Sequence, residues 1–361
     1  MLFKLIKKNL SSSDNQHFVV ALIGKGTIGP EIEALGTPVV NLNICNYRIN
    51  RLLFGLRKLV ILVRKYNPNI VQGWMYHGNL AALVSARIFR SKASVLWNIR
   101  HSLYDLKEEK PITRLIIQID AKLSSKVYSI IYNSKVSSEQ HKAVGFDDRK
   151  SMIIPNGFDC EVFRPDQKKR NIMRQKIGIG DDEFIIGHAA RYHPIKDHVS
   201  FLKAADMIID RGFVARFVLA GRNVDRENLM LSQVTENIGL RNKVDFVGEQ
   251  KDMPAFMNAL DIFTLSSTSE AFPNVIGEAM ACGIPCVATN VGDVAYIIGD
   301  TGKVVPPADP EALATAWQEI LDMGEQARKA LGEKARLRIR NNFSLDEVFV
   351  AYEKLYGSYR R

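Results

Sequence analysis

Short apolar runs rich in Val, Ile and Phe recur along the chain, separated by longer segments whose apolar residues return every three or four positions. Runs of the first kind read as strands buried on both faces, and segments of the second kind as helices with one apolar stripe. Strands are expected at HFVVALI, VVNLNI, NIVQGW, ASVLWNI, VYSIIYN and SMIIPN, with helices over 48–66, 78–89 and 112–125 between them. After IPNGFDCEVFRPDQ, which carries Pro155, Gly157 and Pro165, the alternation restarts with FIIGHAA, ARFVLAG, KVDFVGE, DIFTLSS and IPCVATN. Strands alternating with helices build parallel sheets, so the fold class is α/β, one Rossmann-like doubly wound unit followed by another. The expected domains are 1–160 and 161–340, with 341–361 a terminal helix returning to the first. Ligands of such sheets collect beyond the carboxyl ends of the strands, which puts the expected active site in a cleft between the units.

Composition narrows the class. At 361 residues, 46% hydrophobic and 24% charged, the chain can fill two cores. The longest apolar candidate, LVILV at 59–63, is fenced by Arg57, Lys58, Arg64 and Lys65, far short of the roughly 18 residues that cross a bilayer. Charges in MLFKLIKKNLSSSDNQ interrupt any signal-peptide core, so the expected location is the cytoplasm. Cys45, Cys160, Cys282 and Cys286 have no metal or redox spacing and read as reduced and mostly buried.

Charge is unevenly shared. Residues 1–160 hold 23 Lys+Arg against 11 Asp+Glu, while 161–361 hold 26 against 28, so the whole excess of +10 is N-terminal. Between Leu35 and Tyr104 there is no acidic residue, but ten Lys/Arg, among them Arg48, Arg51, Arg57, Lys58, Arg64 and Lys65. Such a surface suits anionic lipid headgroups. No nucleic-acid motif accompanies it, and the plainer reading is a solvated basic face.

One motif misleads. GKGTIG, Gly24–Gly29, fits G-x-G-x-x-G after a strand, yet the acidic residue expected about 20 positions on is absent, so the stretch reads as an ordinary turn.

The richest stretch is STSEAFPNVIGEAMACG, Ser267–Gly283, with Glu270 and Glu278 eight residues apart. Pro273 is a favoured first helical residue and Gly283 a stop. The free amides of Asn274, Val275 and Ile276, after Phe272, would then offer a phosphate site. Glu278, a turn further in, suits sugar hydroxyls, and Glu270 can reach another part of the same ligand. Acidic acceptors beside an anion site describe a nucleotide sugar. In ARYHPIKDH, Arg191 and Lys196 are spaced to lean over one diphosphate, where fixed cations stabilise a departing pyrophosphate. They could equally pair with surface carboxylates. The chain has no Asp-x-Asp, so neither metal nor other cofactor is expected.

With ARYHPIKDH, FVLAGR, VDFVGEQKDMPAFMNALDIFTLSSTSEAFPNVIGEAMACGIPCVATNVGD and GKVVPPADPEALA, the C-terminal half resembles the retaining glycosyltransferases of family 4, whose architecture is GT-B. NIVQGWMYHGNLAALVSARI, VLWNIRHS, IIYNS and IIPNGFD extend the resemblance over the N-terminal half. Within the family the chain looks most like enzymes of bacterial surface polysaccharide (O-antigen, capsule) synthesis. The resemblance implies that Arg191 and Lys196 hold the donor diphosphate, Glu278 the ribose and Glu270 the transferred sugar. It puts the base at Val247 and Gly248 near Gly221 and Arg222, His101 against the donor sugar, and Trp74, His77 and Arg100 toward the acceptor. His101, Trp74 and His77 equally read as structural residues. The implied donor is a nucleotide-diphosphate sugar, UDP-linked by expectation. The implied acceptor is a lipid-linked saccharide at the inner membrane face, and nucleic acid is not an expected partner. The implied chemistry retains anomeric configuration, with Glu270 positioning and not attacking.

Relatives open with a strand and a glycine-rich loop. Here MLFKLIKKNLSSSDNQHFVVALI reads as the first helix running into the second strand, so a gap or exposed edge is expected in the N-terminal sheet. Asp293, where VGG is common, is a smaller departure. Two alternatives stand beside the transferase: a nucleotide-sugar-binding but inactive subunit, and another enzyme of similar scaffold such as a sugar-nucleotide epimerase or an oxidoreductase.

Overall fold

Each apolar run expected as a strand forms one, and all of them pair in parallel. The computed structural model describes residues 1–12, 15–44, 49–88, 91–240 and 242–359; Cys45, Arg48 and Phe89 lie outside them. The chain divides into two units, 1–157 with 348–361 and 158–347.

The second unit is the simpler. Its helices α7 (Gln167–Ile177), α8 (His198–Asp210), α9 (Leu229–Asn237), α10 (Met253–Ala259), α11 (Asn274–Ala281), α12 (Val294–Ile298), α13 (Pro310–Asp322) and α14 (Glu325–Asn342) alternate with strands until the last two. The strands are β7 (Ile185–Ala189), β8 (Arg216–Ala220), β9 (Val244–Phe246), β10 (Ile262–Leu265), β11 (Cys286–Thr289) and β12 (Lys303–Val305), paired in the order β12-β11-β10-β7-β8-β9. Only β12 was not foreseen, because GKVV is too short to stand out.

Both faces of this sheet are covered. Phe201, Phe217 and Trp317 fill one side, with Trp317 Nε1 donating to Thr264 Oγ1 at 2.9 Å. Phe158, Phe256, Phe263 and Phe343 fill the other. Each such ring contributes on the order of 2 kcal/mol by leaving water. Local signals end the helices: Asp309 caps α13 by accepting from the Ala312 amide at 3.0 Å, and Gly178, at φ +71°, closes α7.

The first unit contains α1 (Leu2–Ser12), α2 (Ile28–Ala34), α3 (Ile49–Tyr66), α4 (Met75–Ile88), α5 (Pro111–Leu123) and α6 (Lys135–Ala143), and most of α15 (Leu345–Gly357). Its strands are β1 (Val19–Ala21), β2 (Val39–Asn41), β3 (Ile70–Trp74), β4 (Ser94–Ile99), β5 (Ser129–Tyr132) and β6 (Ser151–Ile153). They form two separate sheets, β1-β2 and β3-β4-β5-β6. The N-terminal strands are thus divided, in keeping with the gap or exposed edge expected there. Its trace is in the burial: β4 and β5 are buried throughout, whereas β1 and most of β3 are only half-buried.

Helix α1 joins the two pieces. Leu5 packs into the core of Leu96, Ile131, Ile154 and Tyr352, and the next residue, Ile6, into that of Ile32 and Val39. One amphipathic helix thus seals two cores with consecutive side chains.

Two local expectations need correction. Helix α4 starts at Met75, three residues before the expected Gly78, immediately after β3 with Met75 at φ +61°. GKGTIG is not wholly a turn, since α2 has begun by Ile28 and holds Gly29 buried.

Candidate functional site

In the second unit the strand order reverses between β10 and β7, since β8 and β9 lie to one side of β7 and β11 and β12 beyond β10. The loops leaving these two strands part at that point, which is where open α/β sheets bind ligands. The loop after β7 carries Arg191 and Lys196, and the loop after β10 carries Glu270.

Backbone and hydroxyl bonds stitch the loops together. The Thr268 amide donates to Ile195 O at 2.8 Å and Ser266 Oγ to Lys196 O at 3.0 Å. Across this seam Lys196 Nζ forms an ion pair with Glu270 Oε1, with side chains 17% and 13% exposed. Ser267 Oγ donates to the same carboxylate oxygen at 2.8 Å, and Thr289 Oγ1 holds Ser267 O at 2.5 Å. Glu270 is thereby fixed in place. Behind it Gly292, at φ +54°, leaves no room for a side chain: a Cβ would stand 2.4 Å from Glu270 O. Asp293 is buried, and its amide donates to Ala271 O at 3.0 Å.

Helix α11 follows at once. Pro273 precedes it as the N-cap (φ −72°, ψ 113°) and does not occupy its first turn, a correction to the expectation for that residue. The cap supplies no side-chain hydrogen bond and the first turn holds no acid, so neither of these two local devices offsets the positive end of the helix there. Asn274 is exposed and Glu278, in the second turn, is half-buried. Phe272 stacks on Phe158 at 6.2 Å, and a Cβ on Gly277 would meet the Phe158 ring at 2.1 Å, so this glycine lets the ring lie on the helix. Gly283, at φ +75°, ends the segment as expected.

The other expected donor residues gather at the carboxyl ends of β7, β8 and β9. The Gly221 amide donates to Gly248 O at 2.8 Å and the Gly248 amide to Val224 O at 2.9 Å. A Cβ on Gly221 would lie 1.9 Å from Ala190 O, so only glycine lets β8 end against the Arg191 loop. Val247 follows β9, its amide donating to Leu219 O at 3.0 Å, and Arg222 is an exposed neighbour 3.8 Å from Glu249. Arg191 is exposed and does not join the Lys196–Glu270 pair, so the two cations stand in different surroundings. Beneath the loop, the rings of His188 and His198 lie 4.7 Å apart. Burial drives His198 down to about 4 and His188 well below its ordinary value, so both are neutral.

In the first unit Trp74 ends β3 and the Arg100 guanidinium lies over its ring at 5.2 Å. Arg100 also donates to Asn156 Oδ1 and, at 2.7 Å, to the Tyr352 hydroxyl. His101 Nε2 meets Glu109 Oε1 at 2.7 Å, and burial lowers the pKa of His77. Trp74 and Arg100 come together, while His101 is held by a carboxylate the motif did not announce. Ser267, Glu109, Asn156 and Tyr352 escaped the reading by sequence; for Ser267 the signal was present, a hydroxyl three residues before Glu270. Of the cysteines, Cys282 and Cys286 are buried and Cys160 half-buried, with burial raising the Cys282 thiol to about 12.

Two family models match the chain: glycosyl transferases group 1 over residues 183–323, and Glycosyltransferase Family 4 over residues 4–162. The chain belongs to the family 4 glycosyltransferases. This family 4 chain is 26% identical over 219 residues to the UDP-Gal:alpha-D-GlcNAc-diphosphoundecaprenol alpha-1,3-galactosyltransferase of Escherichia coli, covering 60% of this chain and 56% of that one. It is 24% identical over 323 residues to the capsular polysaccharide biosynthesis glycosyltransferase CapM of Staphylococcus aureus, covering 85% and 81%. Across three curated relatives the matched span is only 35%, 59% and 56% of their own length. The crystal structure of Anabaena HepE in complex with UDP and glucose superposes with a TM-score of 0.83 at 20% identity, over 99% of this chain and 95% of that one. That likeness carries the GT-B fold, two Rossmann-like domains with parallel sheets.

Proposed function

We propose that this protein is a retaining glycosyltransferase that moves a sugar from a UDP-linked donor to a lipid-linked saccharide in bacterial surface polysaccharide synthesis, working without metal at the inner face of the membrane. The observation that carries the reading is the Lys196–Glu270 pair at the strand-order reversal, beside the uncapped start of α11. In the unliganded site Glu270 neutralises Lys196. An arriving diphosphate takes the ammonium and the α11 amides, and Glu270, still oriented by Ser267, is released to accept from hydroxyls of the donor sugar. Glu278 accepts from the ribose, the Val247–Gly248 backbone meets the base, and Arg191 closes over the diphosphate from solvent.

In the transfer the acceptor oxygen bonds to the anomeric carbon on the face from which the β-phosphate oxygen leaves, and the acceptor proton passes to that phosphate. Lys196 stabilises the charge that develops on the leaving group. Support for the acceptor chemistry and for UDP comes from the E. coli galactosyltransferase and from the HepE complex with UDP and glucose. Trp74, His77, Arg100 and His101 are assigned to the acceptor side and donor sugar.

The test is incubation with a panel of UDP-sugars and a polyprenyl-diphosphate saccharide, with the product anomer read by NMR. An α-linked product from an α-linked donor is expected; inversion, or release of epimerised donor, would overturn the reading. The divided sheet of the first unit favours a second reading, donor binding without turnover, for which that assay yields no product while calorimetric titration still detects the UDP-sugar.

A further inference from the structure

Helix α3 buries Gly55, Leu59 and Val63, half-buries Leu56, Lys58, Val60 and Leu62, and turns its opposite side to solvent. At 100° per residue, positions 50, 53, 54, 57, 61, 64 and 65 share the outward side, and all seven are exposed. Three of them are large and apolar: Leu53 is 59% exposed, Phe54 67% and Ile61 53%. Three more, Arg57, Arg64 and Lys65, are cations, and the helix contains no acid. A pocket lined by Leu42, Asn43, Asn50, Arg51 and Phe54 puts the Phe54 ring beside a hollow at the start of this face. Three large apolar side chains grouped on one face cost free energy in water, and a nucleic-acid backbone would leave them there. A bilayer with anionic headgroups accepts both kinds of group at once.

We propose that the outward face of α3 docks the protein on an anionic lipid bilayer, with Leu53, Phe54 and Ile61 entering the acyl boundary and Arg57, Arg64 and Lys65 at headgroup level. The inference deepens the lipid-linked-acceptor reading above and names the surface that brings the first unit to such an acceptor.

The test is flotation of the intact protein with vesicles of phosphatidylcholine alone and of phosphatidylcholine with phosphatidylglycerol. Wild type is expected to float with the anionic vesicles only. Arg57→Gln with Lys65→Gln lowers partitioning roughly thirty-fold, and Leu53→Ser with Phe54→Ser and Ile61→Ser lowers it on the order of a hundred-fold. Both variants keep the wild-type melting temperature and UDP-sugar affinity, since these side chains lie outside the core and the donor site. Absence of wild-type flotation, equal flotation of the variants, or capture of RNA in place of vesicles would each overturn the proposal while leaving the transferase reading intact. Vesicle binding without any UDP-sugar binding would instead sink that reading and keep the docking surface.

Discussion

The two units have the same α/β pattern in sequence and differ in how completely they close it. The second builds one six-stranded sheet covered on both faces, and its site lies where the strand order reverses. The first divides its strands between two sheets and relies on α1 to hold them together. The difference teaches that a site made of loops leaving a continuous sheet is positioned by many backbone bonds, whereas the N-terminal unit depends on a few side chains. Charge separates the units in the same way. The second, residues 158–347, holds 23 Lys+Arg against 28 Asp+Glu, and the first holds the whole cationic excess and shows part of it on α3.

That contrast can be broken first at α1. Leu5→Ala removes a side chain from the core shared with Leu96 and Tyr352 and is expected to cost about 3 kcal/mol. In calorimetry the loss should fall on one transition, that of the first unit; an equal shift of both would mean that α1 is not its particular support.

A pH series sharpens the comparison. Asp120 is fully buried, neither carboxyl oxygen has a hydrogen-bond partner among the described residues, and burial lifts its pKa to about 8. Its folded form therefore holds a proton that the unfolded chain releases above about 4, and this raised value makes stability fall as pH rises through that window. His141, lowered to about 4 by burial, acts with the opposite sign below its ordinary 6.5, so a variant is needed to isolate Asp120. The advantage of Asp120→Asn over wild type should grow between about pH 4 and pH 8, at most by about 1.4 kcal/mol per pH unit. Thermal melts check it, and a constant difference would contradict the burial argument.

The smallest effect belongs to the donor site. Glu278→Ala should weaken UDP-sugar binding on the order of ten-fold, the worth of one charged hydrogen bond, with no change in either melting transition. Calorimetric titration reads it, and unchanged affinity would remove Glu278 from the ribose.

Much of this was legible in the chain. Runs such as FIIGHAA and DIFTLSS are apolar on both faces because both faces are covered, so periodicity found them and their order. The local shape of the Glu270–Gly283 stretch, a loop, a helix and a glycine stop, was legible because it is set by short-range spacing. Three things were not. The partner of Lys196 is 74 residues away and that of Arg100 is 252 residues away, distances over which local pattern says nothing. The start of α4 was misplaced because Met75 and Tyr76 extend an apolar run without a break. The division of the N-terminal strands into two sheets was anticipated only through the resemblance, since the pattern within a strand does not say which strand it will pair with.

The most direct test of the central claim is calorimetric titration of a UDP-sugar into wild type and Lys196→Ala with EDTA present. Wild type is expected to bind in EDTA, and Lys196→Ala to bind roughly a hundred-fold more weakly, the loss of a charge-assisted contact to the diphosphate. Binding that vanishes in EDTA and returns with magnesium, or an affinity unmoved by Lys196→Ala, would contradict the account.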